Sequence, residues 1–238
     1  MAGRNRTRRT RGRGWLSPLL GLLVLAAAAG AGWWWWSLGE WRPDEAQWPD
    51  QGAHVGEADG AVRFDTVRGL GARFVYLDAS LGADRTDARF ADNLAAARAE
   101  RLRTGAVHRF DPCTTADGQS ARFVTTVPRD SELLPPAILL DRTGEDCPER
   151  VTQAAIRSEL TTLVNQIEAH AGKPVILAVH EDFEKRYGIA ARMDRNLWLM
   201  RNRLEPDYGG RPWSIWTAND AYRTEAADGG LRWLVVRP

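Results

Sequence analysis

From Trp15 to Trp36 the chain runs WLSPLLGLLVLAAAAGAGWWWW without a charged residue, and this stretch limits what the N-terminal part can fold into. At about 1.5 Å rise per residue, a helix of this length covers about 30 Å, the thickness of a bilayer's hydrocarbon core. Arg4, Arg6, Arg8, Arg9, Arg11 and Arg13 precede it. Lys/Arg-rich flanks stay cytoplasmic, and amphipathic indoles such as Trp33 to Trp36 gather at a membrane interface. The expectation is a basic cytoplasmic tail over residues 1–14, a transmembrane helix over 15–36 and a body outside the cytoplasm. A cleaved signal peptide is the rival reading, since AAAAGAG offers small residues to a peptidase. The tryptophan run argues against it by extending the apolar stretch past that point.

Charge is distributed unevenly. Removing the six N-terminal arginines from the formal net charge of +1 leaves −5 on the rest of the chain. Such a body carries no electrostatic footprint for nucleic acid. Residues 37–51 mix Pro, Gly and charge without periodicity and read as a linker, so the folded body is expected over 52–238.

Within that body, strand-like and helix-like segments alternate, the pattern of an α/β domain with a largely parallel sheet. The β-rich run centred on Phe74 to Leu77 is followed by a helical pattern with Phe90, Leu94, Ala97 and Leu102 on one face. TGAVHRF reads as a strand, Asp117 to Val127 as a helix and PPAILL as a buried strand. A long helix follows, with Ile156, Leu160, Leu163 and Ile167 on one face and Gly172 at its end. KPVILAV, NLWLM, RPWSIWTA and GLRWLVV supply the later strands, with EDFEKRYGI as a short helix among them. Seven or eight strands with few late helices predict an irregular β/α, TIM-like barrel, smaller than the usual barrel of about 250 residues.

The runs FADNLAAARAERLRTGAVHRFDPC, GQSARFVTTVPRDSELLPP, PVILAVHEDFEKRY and YGGRPWSIW resemble the family 25 glycoside hydrolases. The likeness extends from Trp48 to Val236. It implies an irregular β/α barrel and a lysozyme activity on the muramic acid to glucosamine bond of peptidoglycan. In such a barrel the chemistry hangs from the C-terminal ends of the strands, and there the sequence departs from the family. The family's Asp-x-Ser and following Gln-Gly on the first strand are matched by His54, Gly56 and Asp59. The second-strand polar end becomes Asp78, Ser80 and Leu81, and Tyr-His-Phe becomes Val107, His108 and Arg109. Asp-x-Glu on the fourth strand becomes Leu139 and Asp141. Ala178, Thr217, Arg232 and Leu234 replace further polar positions.

Glycoside hydrolysis needs a carboxylic acid at the leaving oxygen and a second group that stabilises the oxocarbenium-like centre. Alternation puts Leu139 and Asp141 on one face of a strand. Leu139 offers no lone pair, and the Asp141 carboxyl is one methylene short of the glutamate it replaces. The catalytic candidates are therefore Asp141, with His54 or Asp78 as a substitute partner. The substrate-binding candidates are His108, Trp216 and Asp59. Each has a structural alternative: a hydrogen-bonded histidine, a solvated or Arg-neutralised carboxylate, a core-filling tryptophan.

The cysteines and histidines lack metal-ligand spacing, so no metal or cofactor is expected. Cys113 follows the third strand and Cys147 the fourth, in neighbouring loops, and an oxidising periplasm favours a disulfide between them over two buried thiols. Two functions follow. One is a glycan-binding or scaffolding barrel with little hydrolysis, tethered to the inner membrane beside the wall, with envelope proteins as possible partners. The other is an active muramidase with Asp141 as acid.

Overall fold

The computed structural model describes residues 16–238, so the basic tail expected over 1–14 lies outside the described residues. The chain divides into a unit ending at Glu40 and a second unit from Trp41 to Pro238. The first contains helix α1 (Leu16–Gly39), which continues past the tryptophans. Its apolar side chains from Leu20 to Trp36 are exposed. Within it, Leu20–Gly39 is long and apolar enough to cross a membrane, and it is the one such helix among the described residues.

The second unit is mixed α/β. Its strands are β1 (Gln51–Val55), β2 (Ala72–Leu81), β3 (Arg85–Thr86), β4 (Arg103–Arg109), β5 (Ala137–Leu140), β6 (Ile176–Val179), β7 (Asn196–Met200), β8 (Ile215–Arg223) and β9 (Gly230–Val236). Between them lie helices α2 (Phe64–Gly69), α3 (Phe90–Ala99), α4 (Ala116–Thr126), α5 (Gln153–Ala171) and α6 (Glu181–Tyr187). The sheet order is β1-β9-β8-β7-β6-β5-β4-β2-β3, and β1 also pairs with β2. That extra pairing closes eight strands into a barrel, with β3 forming an outer hairpin on β2. Around the barrel, neighbours are parallel along β1, β2, β4, β5, β6, β7 and β8, while β9 runs antiparallel to both β8 and β1 and β3 runs antiparallel to β2. The hairpin β3 and the single short turn of α2 have too few residues to show a period, and the sequence gives no sign of them.

Local chemistry sets the helix ends. Thr152 caps α5, its hydroxyl accepting the Ala155 N–H at 3.2 Å, and Gly172 stops it at φ 65°. The stripe Ile156, Leu160, Leu163 and Ile167 is buried, as its spacing requires.

Strand alternation separates two cores. Val75, Leu77, Ile138, Leu140, Leu177, Val179, Leu197 and Leu199 pack with helix residues such as Leu94, Phe123, Leu160 and Phe183. Their neighbours Phe74, Tyr76, Val107, Leu139, Ala178, Trp198 and Leu234 form a second cluster built from strands, which fills the barrel. Gly52 and Gly105 make room inside it. A Cβ on Gly105 would lie 2.4 Å from Tyr76 Cε1, and one on Gly52 2.5 Å from the Phe74 carbonyl oxygen.

The segment expected as a linker is largely part of the body. The second compact unit starts at Trp41, ahead of the expected start at Gly52. Trp48 is buried against Trp213 and Trp216, with ring centroids 5.5 and 5.9 Å away. The Gln51 amide donates to the carbonyls of Pro43 and Trp48, both at 3.0 Å. Arg42 donates to the Leu70 carbonyl and lies over the Trp233 ring. Lack of periodicity made this stretch look unstructured, yet tryptophan burial holds residues 41–50 without any helix or strand.

Cys113 and Cys147 are joined, with a sequence separation of 34, and tie the loop after β4 to the loop after β5. In the loop-entropy picture such a closure stabilises the fold by about 3 to 4 kcal/mol. The Cys113→Ser/Cys147→Ser double variant should therefore lose about that much stability in urea unfolding followed by tryptophan fluorescence. A variant with an unchanged midpoint and slope would count against that contribution.

Candidate functional site

The parity that fills the barrel also decides which side chains reach its open end. Continuing the interior positions to the C-terminal ends of the parallel strands gives His54, Asp78, Arg109, Asp141, His180, Met200 and Thr217. The reversed strand β9 contributes Arg232. Two cavities open there. One, of about 320 Å³, is lined by residues including His54, Leu139, Asp141, His180, Arg201 and Thr217. The other, of about 340 Å³, lies against the 3₁₀ turn Glu57–Asp59 and the β2–β3 hairpin, with Asp78 and Asp87 in its wall. Arg109, Asp220 and Arg232 line both.

The carboxylates of this mouth are mostly matched to cations. Asp141 Oδ2 lies 3.3 Å from Arg109 Nε, and Asp59 Oδ2 lies 2.9 Å from Arg232 Nη2. Asp59 also accepts the Gly56 N–H at 2.7 Å. Asp78 lies between two partners, His54 Nε2 at 2.7 Å from Oδ1 and Arg232 Nη2 at 3.6 Å from Oδ2. Gly56 permits this approach, since a Cβ there would fall 2.3 Å from Asp78 Oδ2.

Burial opposes ionisation of Asp78, but His54, Arg232 and Arg109 outweigh it and hold its carboxyl well below the usual carboxylate range. Burial and the charge of Arg232 push His54 below its ordinary value, against the pull of Asp78. A neutral His54 therefore donates Nε2–H to an ionised Asp78. The His54 ring packs edge-on to Trp198 at 5.1 Å, and Trp198 donates its indole N–H to Thr217 Oγ1 at 2.7 Å. In the outer cavity Asp87 is raised by burial, although it accepts the backbone N–H groups of Glu57 and Arg89.

Of the residues singled out from sequence, His54, Asp59, Asp78 and Asp141 meet at the mouth. Two others do not. His108 is 0 % exposed and points outward from β4 beneath α4. Its Nδ1 accepts from Ser80 Oγ at 2.9 Å, its Nε2–H donates to Gln119 Oε1 at 3.1 Å, and its ring packs edge-on to Phe123. Trp216 is 3 % exposed, donates its indole N–H to the Arg201 carbonyl and packs with Trp41, Trp48 and Trp213. Neither is placed to bind a ligand in the cleft. Both sit one residue out of phase with the inward positions, and the alternation that paired Leu139 with Asp141 identifies them once the register is known. Sequence reasoning missed Asp220, Arg201, His180 and the acidic turn around Glu57. They lie just beyond strand ends or on β8 past its first irregularity, where the period of two is lost.

The chemistry of the site is that of a polar cleft with preset charge pairs. Two arginines tie down three of its acids, and one histidine is locked as a donor. Among the described residues no group of His, Cys, Asp and Glu is arranged to hold a metal ion.

His108 supplies a pH test. Burial drives its pKa from 6.5 down to about 4, against the hydrogen bond to Gln119. Below pH 6.5 the unfolded chain takes up a proton that the folded chain refuses until about pH 4. The stabilisation is therefore intact above 6.5 and lost as the pH falls, on the order of 3 kcal/mol in all. NMR titration should show the His108 resonance unmoved down to about pH 5. A midpoint near 6.5 would contradict its burial as a neutral ring.

Comparison with known proteins gives a consistent result. The family model for glycosyl hydrolases family 25 matches residues 54–225. A family 25 glycosyl hydrolase from Bacillus anthracis superposes with a TM-score of 0.74 at 21% identity, covering 84% of this chain and 93% of that one. The bacterial lysozyme from Streptomyces coelicolor gives a TM-score of 0.69 at 19% identity, covering 79% and 92%. A family 25 lysozyme from Aspergillus fumigatus gives 0.67 at 19% identity, covering 79% and 94%. A sequence comparison with curated proteins gives no match. The family model spans well over half of the chain and the solved structures share its fold, so this chain belongs to glycosyl hydrolase family 25.

Proposed function

We propose that the protein is a membrane-anchored family 25 barrel, an irregular TIM-like fold, that engages peptidoglycan or a related envelope glycan while hydrolysing it little or not at all. The observation that carries this reading is the end of β5. Where the family resemblance calls for Asp-x-Glu, the chain has Leu139, buried at 4 % exposure, and Asp141, ion-paired with Arg109. An acid displaced by about 1 Å costs on the order of 100-fold, and loss of proton transfer costs a further 10² to 10⁴ by similar reckoning. Electrostatic preorganisation is usually the largest share of enzymatic rate enhancement. Here Leu139, Ala178 and Leu234 occupy inward positions of the barrel, and Asp141, Asp59 and Asp78 at its mouth are ion-paired with arginines.

The competing reading is an active muramidase with Asp141 as acid. The His54–Asp78 pair is the feature that favours it, as a substitute base and partner. A digest of purified peptidoglycan by the full-length protein in detergent distinguishes the two. We expect no new reducing ends and co-sedimentation with sacculi. Turnover that disappears in Asp141→Ala would establish the enzyme instead.

The anchoring part of the proposal rests on the arginine-rich start, the apolar helix α1 and its four exposed tryptophans Trp33 to Trp36. Together they suit a single-pass inner-membrane protein with a cytoplasmic N-terminus and the barrel in the periplasm, beside envelope proteins that are its possible partners. In spheroplasts, external protease should then degrade the barrel. Protection until lysis would reverse the assigned topology.

A further inference from the structure

One acid at the mouth stands apart from the rest. Glu57 is paired with Arg85, Asp59 and Asp78 with Arg232, and Asp141 with Arg109, while Asp87 accepts two backbone N–H groups. The Asp220 carboxylate has no hydrogen bond or ion pair among the described residues, is exposed, and lines both cavities. It is not at any position where the family's polar motif is expected, since the Trp-Gln position falls at Thr217.

Its placement is built into the strand. The register of β8 against β9 shifts between Thr217 and Asn219 and again between Asn219 and Tyr222, so Asp220 sits within a doubled irregularity. Bulges of this kind re-aim side chains and concentrate beside binding sites. Three hydrogen bonds hold this one. Asn202 Oδ1 accepts the Asp220 N–H at 2.8 Å, Asn219 Oδ1 accepts the Ala221 N–H at 3.0 Å, and the buried Asn219 amide donates to the Trp41 carbonyl at 2.7 Å. The backbone is thus fixed while the carboxylate is left open to the cleft.

We propose that Asp220 is the ligand-gripping carboxylate of this cleft and accepts hydrogen bonds from the hydroxyl or acetamido N–H donors of an uncharged sugar ring that lies across both cavities. The assignment rests on the glycan reading above and adds to it the residue and the class of group recognised. A carboxylate only accepts hydrogen bonds, and a charged acceptor binds a donor about twice as strongly as a neutral one. The flanking guanidinium groups of Arg109 and Arg232 serve the ring's acceptor oxygens. They also disfavour a cationic ligand at this point.

The test is calorimetric titration of the full-length protein in detergent with soluble, uncrosslinked peptidoglycan strands. Asp220→Ala should weaken binding by about 10- to 100-fold, the loss expected for charge-assisted hydrogen bonds. Asp220→Asn should fall between wild type and Ala, because its amide oxygen still accepts without the charge. Glu132→Ala, an exposed acid before β5 at the other end of the barrel, should bind like wild type. Thermal unfolding of each variant controls for folding, and no loss of stability is expected from an unpartnered carboxylate. Wild-type affinity in Asp220→Ala would overturn the assignment and leave the glycan reading standing. Equal losses in the Asn and Ala variants would overturn the uncharged-donor class in favour of a cationic group. A wild-type protein that binds no strands would instead defeat the glycan reading itself, and this assignment with it.

Discussion

The structure depends on the pairing of β1 with β2 on one side and β9 on the other, because this turns an open sheet into a closed ring. Closure removes the exposed edges that an open sheet leaves available for pairing with other chains. It also gives every strand an inside and an outside. Phe74, Tyr76 and Trp198 then have to pack with one another inside the barrel, and Gly52 and Gly105 give them space. The helices α3 to α6 cover the outward residues of the same strands. The reversed strand β9 completes the ring and brings Arg232 to the mouth beside Asp59 and Asp78.

Charge at the mouth follows from that placement. Family 25 chemistry, as the resemblance describes it, places acids at strand ends. This chain retains acids there but sets an arginine against most of them. Arg109 stands beside Asp141, and Arg232 serves two carboxylates. Such pairs hold the cleft in one arrangement without needing a ligand, which suits recognition better than proton transfer in the function proposed for it.

The packing of Trp41 to Gln51 links the chain beyond Glu40 to that cleft. Trp48 fills a site between Trp213 and Trp216, and the Trp41 carbonyl holds Asn219 in the irregular part of β8. A stretch with no secondary-structure signal therefore contributes both to the outer core and to the strand that presents Asp220.

Periodic features were legible in the sequence. The charge-free run Trp15 to Trp36, the stripe from Ile156 to Ile167, the alternation of strands and helices and the framework likeness to family 25 each depend on residues close together in the chain. Local period and composition encode these directly. The closeness of the loops bearing Cys113 and Cys147 was equally legible, from the strands that each follows. The tertiary structure decided which way each strand-end side chain faces. His108 and Trp216 turn outward because the register places them one residue from the inward positions, and register is set by pairing between distant strands. It also decided that Trp41 to Gln51 packs as part of the body, since indole burial needs partners more than 150 residues away, as Trp48 finds in Trp213 and Trp216. Finally, it alone brought Arg232 to Asp78 and left Asp220 unpaired, because electrostatic partnership depends on distance in space and the chain order carries no record of it.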